Sequence, residues 1–338
     1  MTRVAVIGAR RHRQGIGEFV SRAFLSAGAE LCAVVGTREE TVAQACDSLR
    51  ELGARDLLGF TDLEAAIHTT RPDVVAICSP FPCHRSALEI VAKHACHCLC
   101  EKPMWWDDGE SDRAAVTEQL VDNFIARDRY LALITQWPQT LGDFYRLYPE
   151  LEGEPVCEFD MQLGPTSRGF QMVLDAASHP LSMLQALLGE GDIEDASAEY
   201  SSADGRSLCL TFSYSHSAGS TTVRCQLETC EKPPRPASYA LNKRWVHRSV
   251  ELPDYRLFLE GVGEKRKRIP IEDPLDALVV EFVGKVESFG PSGTAGAVTP
   301  KDSVERRHLV QSVRGLEVLV TAAREAEERQ VVQVSAGD

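Results

Sequence analysis

The chain has 338 residues, is 43% hydrophobic and carries a formal net charge of -14. That length exceeds what one hydrophobic core usually serves, so two domains are expected. The acidic balance argues against broad nucleic-acid binding and against docking on an anionic membrane, both of which draw on surplus Lys and Arg; a small-molecule partner fits better.

At Met1-Thr2-Arg3 no charged start leads into an apolar stretch, and no run approaches the roughly 18 apolar residues of a spanning helix, so a cytoplasmic location is expected. The eleven cysteines have no regular spacing and read as reduced thiols, several of them acting as small buried hydrophobes. In the densest group, Cys96-His97-Cys98-Leu99-Cys100, alternate residues of a strand share a face and do not converge tetrahedrally, so no metal is expected.

Over residues 1–137 short β-branched runs alternate with helical patterns, which predicts a parallel sheet covered by helices: an α/β Rossmann nucleotide-binding domain. Strands are predicted at Arg3 to Gly8, Glu30 to Gly36, Asp73 to Ser79, His97 to Glu101 and Tyr130 to Gln136, with a weaker one at Asp56 to Phe60. Helices are predicted at Gly17 to Gly28, Glu39 to Leu52, Asp62 to Thr70, Cys83 to Ala95 and Gly109 to Arg127.

The first strand runs into Gly8, then Arg10, Arg11 and Arg13, then Gly15-Ile16-Gly17 and an amphipathic helix. A glycine turn between a strand and a helix lets the backbone approach a pyrophosphate at the helix N-terminus, here through a loop longer than usual. The second strand ends at Gly36-Thr37-Arg38. NAD-selective sites place Asp or Glu there, whereas a 2′-phosphate wants Arg and small donors; NADP(H) is therefore preferred, NAD(H) remaining possible. Arg10, Arg11 and Arg13 are further candidates for phosphate pairing.

Residues 138–338 predict an α+β domain with an open, mostly antiparallel sheet. A strand near Val156 to Leu163 and a helix from Phe170 to Leu188 precede alternating segments at Ser207 to Ser213 and Ser220 to Leu227. Pro233, Pro234 and Pro236 mark one loop, the Gly290 to Pro300 stretch another, and a helix from Ser303 to Glu328 follows. Lys265-Arg266-Lys267-Arg268 reads as a solvated turn or edge strand.

Cys100-Glu101-Lys102-Pro103, preceded by Ser79-Pro80-Phe81-Pro82-Cys83-His84, resembles the paired motifs of the glucose-fructose oxidoreductase, inositol dehydrogenase and MocA (Gfo/Idh/MocA) family. Asp175-Ala176-Ala177-Ser178-His179 is similar to that family's Asp-x-Gly-x-His helix, so the resemblance covers the chain in order. It implies hydride transfer between NADP(H) and a carbinol or ketone carbon of a sugar, cyclitol or related polyol. His179 is then the general base, Lys102 orients the hydroxyl and polarises the developing carbonyl, and Asp175 fixes one of them; on one helix, residues four apart share a face. It also places Ser79, Pro80, His84 and Glu101 with Lys102 near the cofactor, and Gln136, Trp137, Arg168 and Gln171 at the substrate.

Two residues depart from the pattern: Ser182 stands where family members carry Asp, and Ala177 where glycine is common. Trp105 and Trp106 either wall the nicotinamide pocket or pack in the core. Two other readings stay open: an imine or ketone reductase of a biosynthetic pathway, and a dinucleotide-sensing regulator without chemistry. The resemblance further implies a homodimer or homotetramer.

Overall fold

The computed structural model describes residues 1–9, 16–263, 267–289 and 304–335. Its contacts divide the chain into two compact units, one of Met1–Thr135 with Leu275–Val310 and one of Gln136–Pro274 with Gln311–Asp338.

The first unit is built on six parallel strands, β1 (Arg3–Ile7), β2 (Glu30–Val35), β3 (Leu58–Phe60), β4 (Val74–Ile77), β5 (His97–Glu101) and β6 (Leu131–Ile134), in the order β3-β2-β1-β4-β5-β6. Helices α1 (Gly17–Ser26), α2 (Glu39–Glu51), α3 (Leu63–Thr70), α4 (His84–Lys93) and α5 (Arg113–Ile125) connect them. Both faces of the sheet are covered, so Val4, Ala5 and Val6 of β1 and all of β4 are buried. Asp62 and Asp112 start α3 and α5 by accepting the backbone N–H of Ala65 (2.7 Å) and Ala115 (2.9 Å). The strand order reverses between β1 and β4, and the carboxyl ends of those two strands flank the crevice where such sheets bind ligands.

The second unit contains α6 (Leu141–Leu147), β7 (Glu158–Leu163), α7 (Gln171–Ala176) and α8 (Ser178–Leu188), followed by β8 (Gly191–Tyr200), β9 (Ser207–His216) and β10 (Gly219–Glu228). Strands β11 (Ala237–Leu241), β12 (Arg244–Glu251), β13 (Arg256–Gly261) and β14 (Arg268–Ile271) complete a sheet ordered β14-β13-β12-β11-β7-β10-β9-β8. Every pairing is antiparallel except β7 with β10. Leu208, Leu210, Phe212 and Tyr214 alternate with wetter residues along β9, the pattern of a sheet with one packed face. Tyr239 anchors that face: its ring stacks on Phe144 at 5.5 Å and meets Trp137 edge-on at 6.2 Å. Arg268, from the basic cluster, lies on edge strand β14 and pairs with Glu251 (2.7 Å) and Glu260 (2.9 Å); Lys265 and Arg266 lie outside the described residues, as does the 290–300 loop.

Two expectations are corrected. The single helix from Phe170 to Leu188 is two, α7 and α8, meeting at Ala177, because Pro180 has no N–H to give the carbonyl of Ala176. The contiguous second domain, 138–338, is interrupted. Helix α9 (Pro274–Ser288) places Val279, Phe282, Val283 and Val286 in the same core as Phe24 and Ile134, and Phe282 stacks on Tyr130 at 5.5 Å. Apolar burial thus assigns α9 to the first unit. Helix α10 (Val304–Ser335) runs beyond its predicted end at Glu328. Among the described residues no helix is long and apolar enough to cross a membrane.

Candidate active site

Gly8 closes β1 with φ +77°, and a Cβ there would lie 2.7 Å from the Cys78 carbonyl oxygen and 2.9 Å from the Ser79 nitrogen. Only glycine lets the end of β1 come this close to the end of β4. Gly17, the first residue of α1, is buried against Gly8, whose carbonyl a Cβ would strike. The strand end and the helix start are therefore packed backbone to backbone. Ile16 occupies the N-cap without a side-chain hydrogen bond to the helix, so among the described residues no side chain caps the first N–H groups of α1. Arg10, Arg11, Arg13 and Gly15 lie outside the described residues.

At the end of β2, half-buried Gly36 is followed by exposed Thr37 and Arg38. Arg38 is the N-cap of α2, and its carbonyl accepts the Thr41 hydroxyl at 2.8 Å. No carboxylate occupies positions 36 to 38.

The ends of β4 and β5 carry the second group of expected residues. Ser79 is half-buried, and its hydroxyl oxygen is buried with no hydrogen-bond partner among the described residues; Pro80 beside it is exposed. His84 is fully buried, with Nε2 2.7 Å from the Ser79 carbonyl and Nδ1 2.9 Å from the Pro103 carbonyl. The expectation that His84 contacts the cofactor is therefore corrected: both ring nitrogens already face backbone oxygens, and the ring fastens the Ser79 loop to the Lys102 loop. Burial lowers the His84 pKa, and the nearby Lys102 charge adds to this while the carbonyls oppose it. Glu101 and Lys102 are half-buried at the end of β5, and the Lys102–Pro103 peptide is cis.

Cys78, Cys98 and Cys100 line the central strands, and burial pushes all three thiols well up, which leaves them protonated and inert. Trp105 and Trp106 are buried. The first donates its indole N–H to Thr117 (3.0 Å) and the second to Asp108 (2.8 Å), so both serve as packing rather than as a wall for a ligand.

In the second unit Asp175 and His179 lie on either side of the α7–α8 junction, so the argument from one continuous helix face does not carry over. The Asp175 carboxylate accepts the Thr166 N–H at 3.0 Å and the Ser167 hydroxyl at 3.3 Å, tying down the loop that enters α7. His179 is half-buried; Ser182 turns back to donate to its carbonyl at 2.8 Å. Gln136 is half-buried and Trp137 buried, in a turn packed against α8. Arg168 and Gln171 are exposed, and Arg168 reaches toward Glu231 at 3.9 Å. Arg248 is absent from the expected set, although the sequence holds a signal for it: a cation at the inward position between Val246 and Val250 of β12.

The first unit suits a dinucleotide. Glycines at 8 and 17 clear a path that a Cβ would block, α1 presents an uncapped N-terminus, and the buried Ser79 hydroxyl lacks a partner at the crevice.

Residues 2–122 match the model of an oxidoreductase family described by its NAD-binding Rossmann fold, GFO_IDH_MocA. A search of curated proteins returned no match. Among solved structures, UDP-N-acetylglucosamine 3-dehydrogenase from Acidithiobacillus ferrooxidans is 17% identical with a TM-score of 0.67, covering 96% of this chain and 99% of that one. An inositol dehydrogenase homolog from Azotobacter vinelandii, solved with NADH and myo-inositol, is 15% identical with a TM-score of 0.67, covering 96% of both chains. Biliverdin reductase from Synechocystis sp. PCC 6803, solved with biliverdin and NADP+, is 14% identical with a TM-score of 0.60, covering 95% of this chain and 99% of that one. At these identities the likeness is one of fold: a parallel Rossmann sheet followed by a mostly antiparallel eight-stranded sheet.

Proposed function

From the match of residues 2–122 to the Gfo/Idh/MocA oxidoreductase family model, we propose that this chain is an NADP-preferring dehydrogenase acting on a hydroxyl-bearing carbon of a sugar, cyclitol or related polyol. The observation that carries the reading is the position of Lys102, at the carboxyl end of β5 and fastened through His84 to the Ser79 loop beside the glycine turn. An ammonium at the crevice of a dinucleotide fold is placed to polarise a substrate oxygen. When bound, the nicotinamide accepts or returns the hydride.

His179 takes the hydroxyl proton as the carbon is oxidised and returns it in reduction, the part of a general base and acid. Lys102, at the crevice of the first unit, supplies the positive charge that stabilises a developing alkoxide. Asp175 holds the entry loop of α7, and through it the start of the helix that carries His179. The preference for NADP(H) rests on Arg38, which stands exposed where a carboxylate would favour NAD(H). Two of the structural neighbours are named for sugar or cyclitol hydroxyls, which supports the substrate class.

The test is absorbance at 340 nm with NADP+ or NAD+ over a panel of sugars, cyclitols and sugar acids, run in both directions. Steady reduction of NADP+ by a panel member, faster at equal concentration than that of NAD+, is expected. Dinucleotide binding without turnover in either direction would favour the regulator reading.

A further inference from the structure

Arg248 lies on β12 at a position that faces the packed side of the second sheet. Val246, two residues earlier, is fully buried and pairs with Tyr239, whose ring touches Phe144 and Trp137. The Arg248 guanidinium sits over the Trp137 ring at 5.6 Å from its centroid, and its Nη2 donates to the Arg235 carbonyl at 2.9 Å. Its Nε is buried and, among the described residues, has no hydrogen-bond partner and no carboxylate within ion-pair distance. Burial lowers its pKa, with Tyr255 and Asp273 opposing as more distant charges and the Arg235 guanidinium adding to the fall. A guanidinium nevertheless stays protonated, so a half-buried cation is held here with its buried Nε–H unanswered.

Such an arrangement is unfavourable in isolation and favourable once an anion supplies the missing acceptor, because guanidinium pairs with planar or tetrahedral oxyanions through two parallel hydrogen bonds. Its surroundings are those of the substrate half of the protein. The turn that begins at Trp137 packs on α8, the helix of His179, within the same unit. The buried Trp137 ring fixes the orientation of the guanidinium that lies over it.

We infer that Arg248 receives an anionic substituent of the substrate, a carboxylate or a phosphate carried on the sugar, so that the chain selects acidic sugars over neutral polyols. The inference takes its substrate class from the dehydrogenase reading, but the anion site is tested by binding alone. Calorimetric titration of the NADP+-saturated full chain with D-glucuronate, D-glucose 6-phosphate and D-glucose separates the two anion sources from the neutral ring. At least one acid is expected to bind about tenfold tighter than glucose or better, and the stronger acid identifies the source. In Arg248→Met this ratio falls to within about twofold of unity, and Arg248→Lys, which keeps the charge without the fork, lies between. Equal binding of all three sugars by the native protein, no binding of either acid, or an unchanged ratio in whichever variant folds would overturn the inference. Tight acid binding without any turnover would instead sink the dehydrogenase reading and leave the anion site standing.

Discussion

In the first unit β4 is buried on both faces, whereas β9 in the second buries every other residue. Function is carried differently in consequence. The first unit's candidate site is largely backbone: a left-handed Gly8, a buried Gly17, an uncapped helix start and two carbonyls clasped by His84. The second presents side chains: Trp137 and Arg248 at the packed face of the sheet, and Asp175 and His179 on either side of the α7–α8 junction. A backbone site tolerates little change and serves any substrate. A side-chain site can be altered residue by residue, so specificity belongs there.

Substitutions sharpen this contrast. The largest effect is expected from Lys102→Ala, the one side chain of the first unit assigned to chemistry: kcat/KM should fall about 100- to 1,000-fold, the scale of losing one preorganised charge. Turnover within threefold of the native protein would remove Lys102 from the mechanism.

His97 comes next. Buried in the first unit, it accepts the Tyr130 backbone N–H at Nδ1 (2.9 Å), and burial, then Arg129, lowers its pKa to about 4. Because the unfolded chain protonates this ring near pH 6.5, the stabilisation is complete above that value and is lost as pH falls toward 4. Urea unfolding at pH 7.5 and 4.0 should show a decline of roughly 3 kcal/mol traceable to this residue, smaller in His97→Gln. An identical pH dependence in the variant would refute the assignment.

Gly8→Ala should destabilise the chain by about 1–3 kcal/mol, since the new Cβ must enter a left-handed conformation against the Cys78 carbonyl. Thermal unfolding checks this, and dinucleotide affinity should weaken with it; a fully stable variant that binds normally would show the close approach to be dispensable. The smallest effect is Arg38→Ala, expected to cut the NADPH-over-NADH affinity ratio about tenfold, the value of one charge-assisted hydrogen bond. Fluorescence titration of the two reduced cofactors measures it, and an unchanged ratio would place the 2′-phosphate contact elsewhere.

The two units were also unequally legible. The strands of the first sheet and Gly8, Gly17 and Lys102 at their ends follow from apolar runs punctuated by glycine and proline, a local signal. The return of Phe282 and Val283 to that core is not local, and nothing in the 275–289 segment names its partner. In the second unit β8, with its run Gly191-Asp192-Ile193-Glu194-Asp195, is too polar to announce a strand and is held by register with β9. The break at Ala177 was written in Pro180, and the alternation of Val246, Arg248 and Val250 marks an inward cation, while the residues it meets there follow only from the register of β12. His84 has the right position for a cofactor contact and the wrong environment, because burial is a property of the fold and not of a motif.

The central claim is that dinucleotide binding and proton transfer reside in different units. It is tested most directly by His179→Ala, with NADP+ affinity and steady-state turnover measured on the same preparation. The account predicts an affinity within about twofold of the native protein and a kcat lower by about 100-fold or more. Native turnover, or a loss of activity that tracks a loss of dinucleotide binding, would contradict it.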